Sequence, residues 1–501
     1  MYKNILANLI SRIWSLLSIF LFIPLYIHFL GIELFGLVSF FATMQGVLLL
    51  LDAGLSLTLR REFSIGEENK ENHLRKYKLL RSIEFCYLIL IAFILAISLL
   101  GAEFMVHQWL NIGTIDPEVA ITTVRLMGIS IALQFFSTLY YGGLLGLQKQ
   151  IITNVYQVGW SILKNGFVLL VLWLIAPDIR LFYLWFIFAD LVYLLVLKIE
   201  MSRSLGVDST YSWNRGELKN LKKIWKYAAG MLAISVISAF NFQLDKMAIS
   251  KMLPISDLGI YNLAFSLSQL PFILVNAITI AIFPRFVNYY STQEHEKLQE
   301  LFLLTSKILG IFAISISITM CFYTNELFLF WTRDPQIAAK AWQPASILIA
   351  GTLFQTFQII PFNLALAHGI TRINMIFGIV NIIVMIPILL LLVSYFGIIG
   401  AAITWLFISV VISPSYNCFV FNEFINKNWL KWFCNDTLLP LLFVLAISAM
   451  LYKIGTFFNM SPNFTIVYAI LTGALLLILT LFLFTRKFYS RIRLAFEAYK
   501  I

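Results

Sequence analysis

Four charged side chains fall inside long hydrophobic runs of this sequence, and they are the first candidates for chemistry. They all lie in the first half of the chain: Asp52, Arg125, Lys164 and Asp190. A charged group at the centre of a bilayer costs at least about 2.5 to 3.5 kcal/mol, so such groups usually face a partner or a water-filled cavity. The first half therefore combines two cations and two anions that we expect to point inward.

These charges have two interpretations that the sequence leaves open. In the first, Arg125 or Lys164 forms a structural ion pair with Asp52 or Asp190. In the second, the cations hold an anionic headgroup in a central cavity while a carboxylate titrates to couple transport. Asp245, at the predicted outer end of the seventh span, is a third coupling candidate beside Asp52 and Asp190.

Arginines also stand where two hydrophobic runs end. Arg60 and Arg61 close the second run, and Arg285 follows Pro284 at the end of the eighth. Guanidinium groups bind phosphate through paired, charge-assisted hydrogen bonds, so this arrangement suits receipt of a phosphate group. The alternative is the ordinary basic anchor at a cytoplasmic membrane surface.

Several catalytic patterns are missing from the sequence. No phosphate-binding glycine loop, HExxH or GxSxG pattern occurs, and the histidines are isolated. Cys86, Cys321, Cys418 and Cys434 are scattered without a CxxC pair, so neither a disulfide framework nor a zinc site is indicated. We predict no catalytic residue, metal or cofactor, and a secondary transporter rather than an enzyme.

The elements that position these residues are hydrophobic helices. The chain has 501 residues, of which 60% are hydrophobic and 12% are charged, which lies well outside the soluble range. A bilayer core of about 30 Å takes about 20 apolar residues per helix, and this length predicts an all-α polytopic membrane protein with fourteen spans. The predicted spans are 10–30, 36–58, 82–101, 120–143, 151–176, 181–199, 227–245, 258–284, 303–323, 341–362, 369–393, 396–418, 434–452 and 464–485.

Orientation follows from the basic residues, which concentrate in alternate loops. Basic residues are retained on the cytoplasmic side during insertion, so both termini are predicted to be cytoplasmic. The first run is read as a retained helix, because no small-residue cleavage site follows it. The basic loops, which account for the net charge of +11, then face anionic lipid headgroups. No nucleic-acid partner is predicted.

A weak internal repeat divides the chain into two lobes. A shift of 224 residues places Glu33 on Asp257, Gln45 on Gln269 and Arg61 on Arg285, and both copies would cross the membrane in the same direction. The repeat predicts two six-helix lobes in parallel orientation and two additional helices. The predicted boundaries are 1–200 for the N-terminal lobe, 201–226 for a cytoplasmic basic linker, 227–420 for the C-terminal lobe and 421–501 for two further spans with a cytoplasmic basic tail.

Short motifs in order along residues 1 to 420 resemble the Wzx-type O-antigen flippases of the multidrug/oligosaccharidyl-lipid/polysaccharide (MOP) exporter superfamily. The motifs are Pro24-Leu-Tyr26, Leu30-Gly-Ile-Glu-Leu-Phe-Gly36, Leu51-Asp-Ala-Gly54, Gly146-Leu-Gln-Lys149, Leu258-Gly-Ile-Tyr261, Phe283-Pro-Arg285 and Phe396-Gly-Ile-Ile-Gly-Ala-Ala402. No single motif is diagnostic, whereas the set is fairly specific.

This resemblance implies a bacterial inner-membrane protein that moves an undecaprenyl-diphosphate-linked oligosaccharide from the cytoplasmic to the periplasmic leaflet. It implies alternating access between two lobes, coupling to a proton or sodium gradient, and a polysaccharide polymerase as a partner. The residues that match the family's cationic cavity are Arg60, Arg61, Arg125, Lys164 and Arg285. Three alternatives stay open: a multidrug exporter or a lipid II exporter of the same superfamily, or a membrane enzyme acting on a lipid-linked sugar.

Overall fold

The computed structural model describes residues 2–51, 53–64, 70–206, 218–370, 372–425, 428–458 and 462–485. Within these ranges the backbone is almost entirely helical and forms no strand. The only extended pairing there is an isolated bridge between Asn111 and Pro254. This architecture confirms the predicted all-α fold.

Two compact units are defined by their internal packing, residues 1–259 and 260–501. The helices that begin in the first unit are α1 Tyr2–Leu51, α2 Ala53–Phe63, α3 Lys70–Phe104, α4 Pro117–Gly146, α5 Gln150–Ser161, α6 Phe167–Leu174, α7 Ile179–Leu205, α8 Leu218–Met252 and α9 Ile255–Ser268, with π-helical turns π1 Met105–Trp109 and π2 Ile162–Gly166. The unit boundary lies within α9. The lobe boundaries drawn from the repeat stay a prediction.

The second unit continues from the last residues of α9. Its helices are α10 Leu270–Ser291, α11 His295–Phe322, α12 Thr324–Thr332, α13 Pro335–Ala367, α14 Arg372–Phe424, α15 Trp429–Phe433, α16 Leu439–Phe457 and α17 Pro462–Thr485, with the π-helical turn π3 Cys434–Leu438. Stacked aromatic rings bind three of these helices together. The rings of Phe421 and Trp432 lie 5.1 Å apart, and Phe302 contacts both.

Among the described residues, eleven segments are long and apolar enough to cross a membrane. Two helices are bent at a glycine with a positive φ, at Gly31 in α1 (φ 80°) and at Gly397 in α14 (φ 58°). Glycine adopts this region without the steric penalty of a Cβ atom. Each bent helix therefore contains one predicted span completely and most of another, 36–58 in α1 and 369–393 in α14. The total of fourteen spans stays a prediction.

The helix breaks recur at similar positions in the two halves of the sequence. Gly31 interrupts α1, and 224 residues later the chain breaks between α8 and α9, where α9 begins at Ile255. Similarly, the break between α6 and α7 at residues 175–178 lies about 220 residues before Gly397. This spacing supports the internal repeat.

Glycines bring the helices of the first unit into close contact. A Cβ atom added at Gly146 of α4 would lie 2.7 Å from the carbonyl oxygen of Arg60 in α2. A Cβ atom at Gly36 of α1 would lie 2.1 Å from the carbonyl oxygen of Ile255. Small residues permit such backbone approach between membrane helices. Gly146 thereby fixes the end of α2 that carries Arg60 and Arg61.

Candidate functional site

The carboxylate of Asp190 in α7 is the centre of a buried polar cluster in the first unit. The Nζ atom of Lys164 lies 3.1 Å from each of its oxygens. Trp160 donates its indole N–H to Oδ1 over 3.0 Å, while Ser130 and Gln134 of α4 both donate to Oδ2. A buried carboxylate needs this many donors, because burial without partners is strongly unfavourable.

Aromatic rings enclose the Lys164 ammonium. Its Nζ atom lies 4.4 Å from the ring centre of Phe186, 5.1 Å from that of Trp160 and 5.6 Å from that of Phe41. Ring faces carry negative charge and attract a desolvated cation. The Lys164 side chain is only 5% exposed, so in this structure it has almost no surface for a substrate.

A π-helical turn positions Lys164 between α5 and α6. Such turns insert one extra residue and are frequent at functional sites. The turn is stabilised by side chains from neighbouring helices: Trp185 donates to the carbonyl of Leu163 over 2.9 Å, and Tyr26 donates to that of Asn165 over 2.8 Å. Backbone groups outside a regular α-helical ladder need such partners inside a bilayer.

The side-chain amides of Gln134 and Gln45 extend the cluster to α1. Gln134 hydrogen-bonds both Ser130 and Asp190 through its Nε2 atom, and its Oε1 atom accepts from Gln45. The cluster thus connects α1, α4, α5, π2 and α7. The sequence left open whether Lys164 pairs with Asp52 or with Asp190, and in the structure it pairs with Asp190.

Arg125 has a different partner from the two that the sequence suggested. Its NH2 atom lies 2.9 Å from a carboxylate oxygen of Glu103 in α3, and its Nε atom donates to the carbonyl of Leu99. The Arg125 and Glu103 side chains are 42% and 66% exposed. Lys164 and Arg125 therefore do not share one ion-pair cluster.

The three arginines at the ends of the predicted spans are exposed. Arg60 and Arg61 occupy the last turn of α2, and both side chains are exposed. Arg285 is also exposed and follows Pro284 within α10. All three residues therefore lie at the protein surface.

Two of the coupling candidates are described and the third is not. Asp190 is fully buried, as is Asp245 in α8. The neighbouring Lys246 places its Nζ atom 3.8 Å from Asp245 and donates to the carbonyl of Phe242 over 2.8 Å. Asp52 lies outside the described residues.

Sequence reasoning missed two ion pairs inside helices. Lys307 of α11 lies 2.9 Å from Asp436 of π3, with side chains 12% and 18% exposed. In the first unit, Arg81 lies 2.7 Å from Glu84, whose other oxygen accepts from Tyr140. Lys307, Asp436 and Glu84 each fall within a few residues of the end of a predicted span, where a charge is ordinarily read as an interface residue.

No metal centre is built into the described part of the chain. There, no three His, Cys, Asp or Glu side chains group closely enough to hold a metal ion. All four cysteines are unpaired thiols. The site consists of a buried cation and carboxylate, surrounding amides and hydroxyls, and exposed arginines.

Charged and amide groups inside the spans of a helical multi-pass chain are typical of membrane transporters. The chain belongs to the family described as "Polysaccharide biosynthesis protein", whose family model matches residues 1–290. The MatE family model matches residues 231–391, and the two matches, with the relatives that follow, support a flippase of the MOP superfamily. A Shigella flexneri protein assigned as an O-antigen transporter is 22% identical over 384 residues, which cover 75% of this chain and 87% of that protein. These relatives are transporters and not enzymes.

Solved structures show the same fold. The lipid II flippase MurJ in an inward closed conformation superposes with a TM-score of 0.72 at 14% identity, covering 97% of this chain and 99% of that one. An inward-facing multidrug resistance transporter of the MATE family gives a TM-score of 0.64 at 15% identity, with 83% and 96% covered. A MOP superfamily transporter from Pyrococcus furiosus gives 0.59 at 14% identity, with 84% and 95% covered.

Proposed function

We propose that this flippase moves an undecaprenyl-diphosphate-linked oligosaccharide, an O-antigen or another surface-polysaccharide repeat unit, from the cytoplasmic to the periplasmic leaflet. The observation that carries the proposal is the family match over residues 1–290. That segment contains every proposed cationic contact: Arg60, Arg61, Arg125, Lys164 and Arg285. The chain would reside in a bacterial inner membrane with both termini in the cytoplasm, and would deliver its product to a polysaccharide polymerase.

The task makes physical sense for this fold. A diphosphate sugar cannot cross hydrocarbon unaided, because its charges and hydroxyls would lose their hydration. Its prenyl tail can stay in lipid while the headgroup passes along a polar route inside the protein. Alternating access would open that route to one leaflet at a time.

The exposed arginines would receive the diphosphate. Arg60 and Arg61 lie in the last turn of α2, and Arg285 lies at the end of a predicted span. Guanidinium matches phosphate oxygens in a bidentate geometry that an ammonium cannot reproduce. Lys164, which is enclosed by Asp190 and aromatic rings, would contact a phosphate only after that ion pair opens.

Ion coupling would use a buried carboxylate. Asp190 and Asp245 are both fully buried, and each has a lysine within reach. Binding of a proton or a sodium ion to such a carboxylate would weaken its pair with lysine and change the packing of the helices that bear the two groups. Asp52 is a further candidate on sequence grounds.

Transfer across reconstituted liposomes tests this proposal. The assay would follow an undecaprenyl-diphosphate oligosaccharide in vesicles with an imposed proton or sodium gradient. The variants are Arg60→Ala with Arg61→Ala, Arg125→Ala, and Lys164→Ala. Arg203→Ala in the last turn of α7 and Arg180→Ala, an exposed arginine paired with Asp178, are the matched controls. All proteins would be compared at equal amounts in the vesicles.

We expect transfer by the wild type and by both controls. Each lost hydrogen bond to a charged group is worth about 1.5 to 3 kcal/mol, so the Arg60/Arg61 variant should be at least about tenfold slower. Variants as fast as the wild type would remove those residues from the substrate site. No transfer by folded wild type under either gradient would overturn the proposal, and transfer of lipid II or a cationic drug instead would identify the alternative substrate.

A further inference from the structure

A stripe of neutral polar side chains runs along the membrane helices α1 and α5. Along α5 and π2 the stripe repeats every four residues, which places it on one helix face. Its members are Gln157, Ser161 and Asn165 from α5 and π2, Ser11 and Trp14 from α1, and Tyr141 from α4. We call these six residues the α1–α5 polar seam.

Hydrogen bonds hold the seam together. The Oε1 atom of Gln157 accepts from Ser11 over 3.5 Å and from Tyr141 over 3.1 Å. The hydroxyl oxygen of Ser161 accepts from the Trp14 indole over 3.1 Å and from the Asn165 amide over 3.3 Å. The seam is therefore an ordered surface of amide, hydroxyl and indole groups.

Part of this surface is accessible, although Ser11 is buried. Trp14, Gln157, Ser161 and Asn165 are all half-buried. Within the described chain, the amide nitrogen of Gln157 donates no hydrogen bond, although its oxygen accepts two. An amide donor left without a partner inside a membrane span is unfavourable unless water or a polar ligand meets it.

The opposite face of α5 is apolar and exposed. Val155 is 60% exposed and Ile162 is 38% exposed, and a Cβ atom added at Gly159 would meet nothing within 4 Å. That face is the one suited to lipid. The polar seam lies on the other face of α5, where it contacts α1 and α4.

The charged residue of the α5–π2 segment is already compensated. Lys164 follows Ser161 by three residues on the same segment, but its ammonium is paired with Asp190 and enclosed by rings. What the seam offers to a ligand is therefore neutral: amide and hydroxyl groups and an indole ring. This chemistry fits sugar hydroxyls and the apolar face of a pyranose ring better than it fits phosphate.

We infer that the α1–α5 polar seam binds the sugar part of the transported substrate, separately from the arginines that receive the diphosphate. This inference rests on the proposed function, and it assigns the two halves of the headgroup to two surfaces of different chemistry. Gln157 is the central specificity residue, because its amide nitrogen is available for a sugar hydroxyl. A site built to bond hydroxyls discriminates strongly against ligands that lack them.

The test compares two lipid substrates in reconstituted liposomes. One is undecaprenyl diphosphate carrying the full oligosaccharide, and the other carries a single sugar. Gln157→Met keeps side-chain length but removes the amide, and Trp14→Leu removes the indole. Tyr156→Phe is the matched control, because its hydroxyl donates to Glu200 of α7, a helix that contributes no residue to the seam. A thermal-unfolding measurement establishes that each variant is folded.

We expect Gln157→Met and Trp14→Leu to lower kcat/KM for the oligosaccharide at least about tenfold, with a much smaller effect on the single-sugar substrate. Tyr156→Phe should match the wild type on both. Equal rates for wild type and variants on both substrates, or an equal loss on both, would overturn the inference and leave the flippase function intact. If folded wild type transfers neither substrate, the proposed function itself fails, which is a distinct result. If Gln157→Met does not fold, Ser161→Ala replaces it with the same expectation.

Discussion

The Lys164 ammonium lies 3.1 Å from both oxygens of the Asp190 carboxylate, and neither side chain is more than 5% exposed. Breaking a buried pair by removing one partner leaves an uncompensated charge and costs about 3 to 5 kcal/mol. We therefore expect Lys164→Met to lower the unfolding temperature strongly. Thermal unfolding in detergent, followed by fluorescence size-exclusion chromatography, measures this change.

Removing both charges should restore part of that loss. Asp190→Asn added to Lys164→Met eliminates the unpaired carboxylate, while the Asn oxygen can accept from Trp160 and the Asn NH2 group can donate to the Ser130 hydroxyl oxygen. A double-mutant cycle then isolates the coupling between the two side chains. If the double variant loses as much stability as the two single variants combined, the pair contributes no coupling and this interpretation is wrong.

The contact between α4 and α2 yields a second prediction. Gly146→Ala would place a Cβ atom 2.7 Å from the Arg60 carbonyl oxygen and 2.8 Å from the Phe63 Cβ atom. Overpacking of this kind typically costs about 1 to 3 kcal/mol, and it would displace the end of α2 that carries Arg60 and Arg61. We expect lower thermal stability and slower transfer in the liposome assay.

Gly159→Ala is the matched control for that substitution. A Cβ atom at Gly159 meets no atom within 4 Å, and alanine is favoured over glycine in a helix interior by about 0.5 to 1 kcal/mol. Gly159→Ala should be as stable as the wild type or more stable. Equal behaviour of the two variants would show that close helix contact at Gly146 is unimportant.

The Lys307–Asp436 pair supplies a third prediction. It joins α11 to π3 at a separation of 2.9 Å, with both side chains largely buried. A hydrogen bond to a charged group contributes about 1.5 to 3 kcal/mol, so Lys307→Met should destabilise the second unit by about that amount. The exchanged pair, Lys307→Asp with Asp436→Lys, should recover much of the stability.

Lys297→Met in the same helix is the control for Lys307→Met. Lys297 pairs with Glu294, but its side chain is 64% exposed, and exposed pairs contribute little. Its substitution should leave the unfolding temperature unchanged. A loss equal to that of Lys307→Met would mean that burial does not distinguish the two pairs.

The sequence predicted that Lys164 and Asp190 are buried, but the expectation that Arg125 also points inward is wrong, because its side chain is 42% exposed. Lys164 and Asp190 stand out because charges are rare in apolar runs, yet only the packing of π2 against α7 shows that they pair with each other. Arg125 has the same sequence signature, but its partner Glu103 lies at the end of a predicted span, where a carboxylate looks like an ordinary interface residue. Distance along the chain carries no information about such contacts.

The helix positions were predictable from hydrophobic length, whereas the local distortions were not. The bends at Gly31 and Gly397 depend on a positive φ, and many other glycines in this chain have ordinary helical angles. The π-helical turns at Lys164 and Asp436 have no distinctive residue composition, and the turn at Lys164 is stabilised by Trp185 and Tyr26 on neighbouring helices. Each of these two π-helical turns carries one member of an interhelical pair, Lys164–Asp190 or Lys307–Asp436. The sequence therefore could not predict the turn that positions Lys164 in the candidate site.

Asp178 at the start of α7 gives a prediction for the pH dependence of stability. Its carboxylate accepts from the backbone N–H of Arg180 over 2.7 Å and from the guanidinium over 2.6 to 3.1 Å. Hydrogen bonds from Arg180 hold the pKa of Asp178 below its ordinary value. A depressed folded pKa means that this carboxylate stabilises the protein fully above its unfolded pKa of about 3.9, and that the contribution is lost as the pH falls through the folded value.

Asp178→Asn keeps the helix cap but removes the titrating group. We expect it to be less stable than the wild type at pH 7, and the difference should shrink as the pH falls below about 4. Arg180→Met, which removes the guanidinium, should reduce the pH dependence in the same way. Unfolding temperatures between pH 7 and pH 3 measure this, and a gap between wild type and Asp178→Asn that stays constant over that range would contradict the role assigned to Arg180.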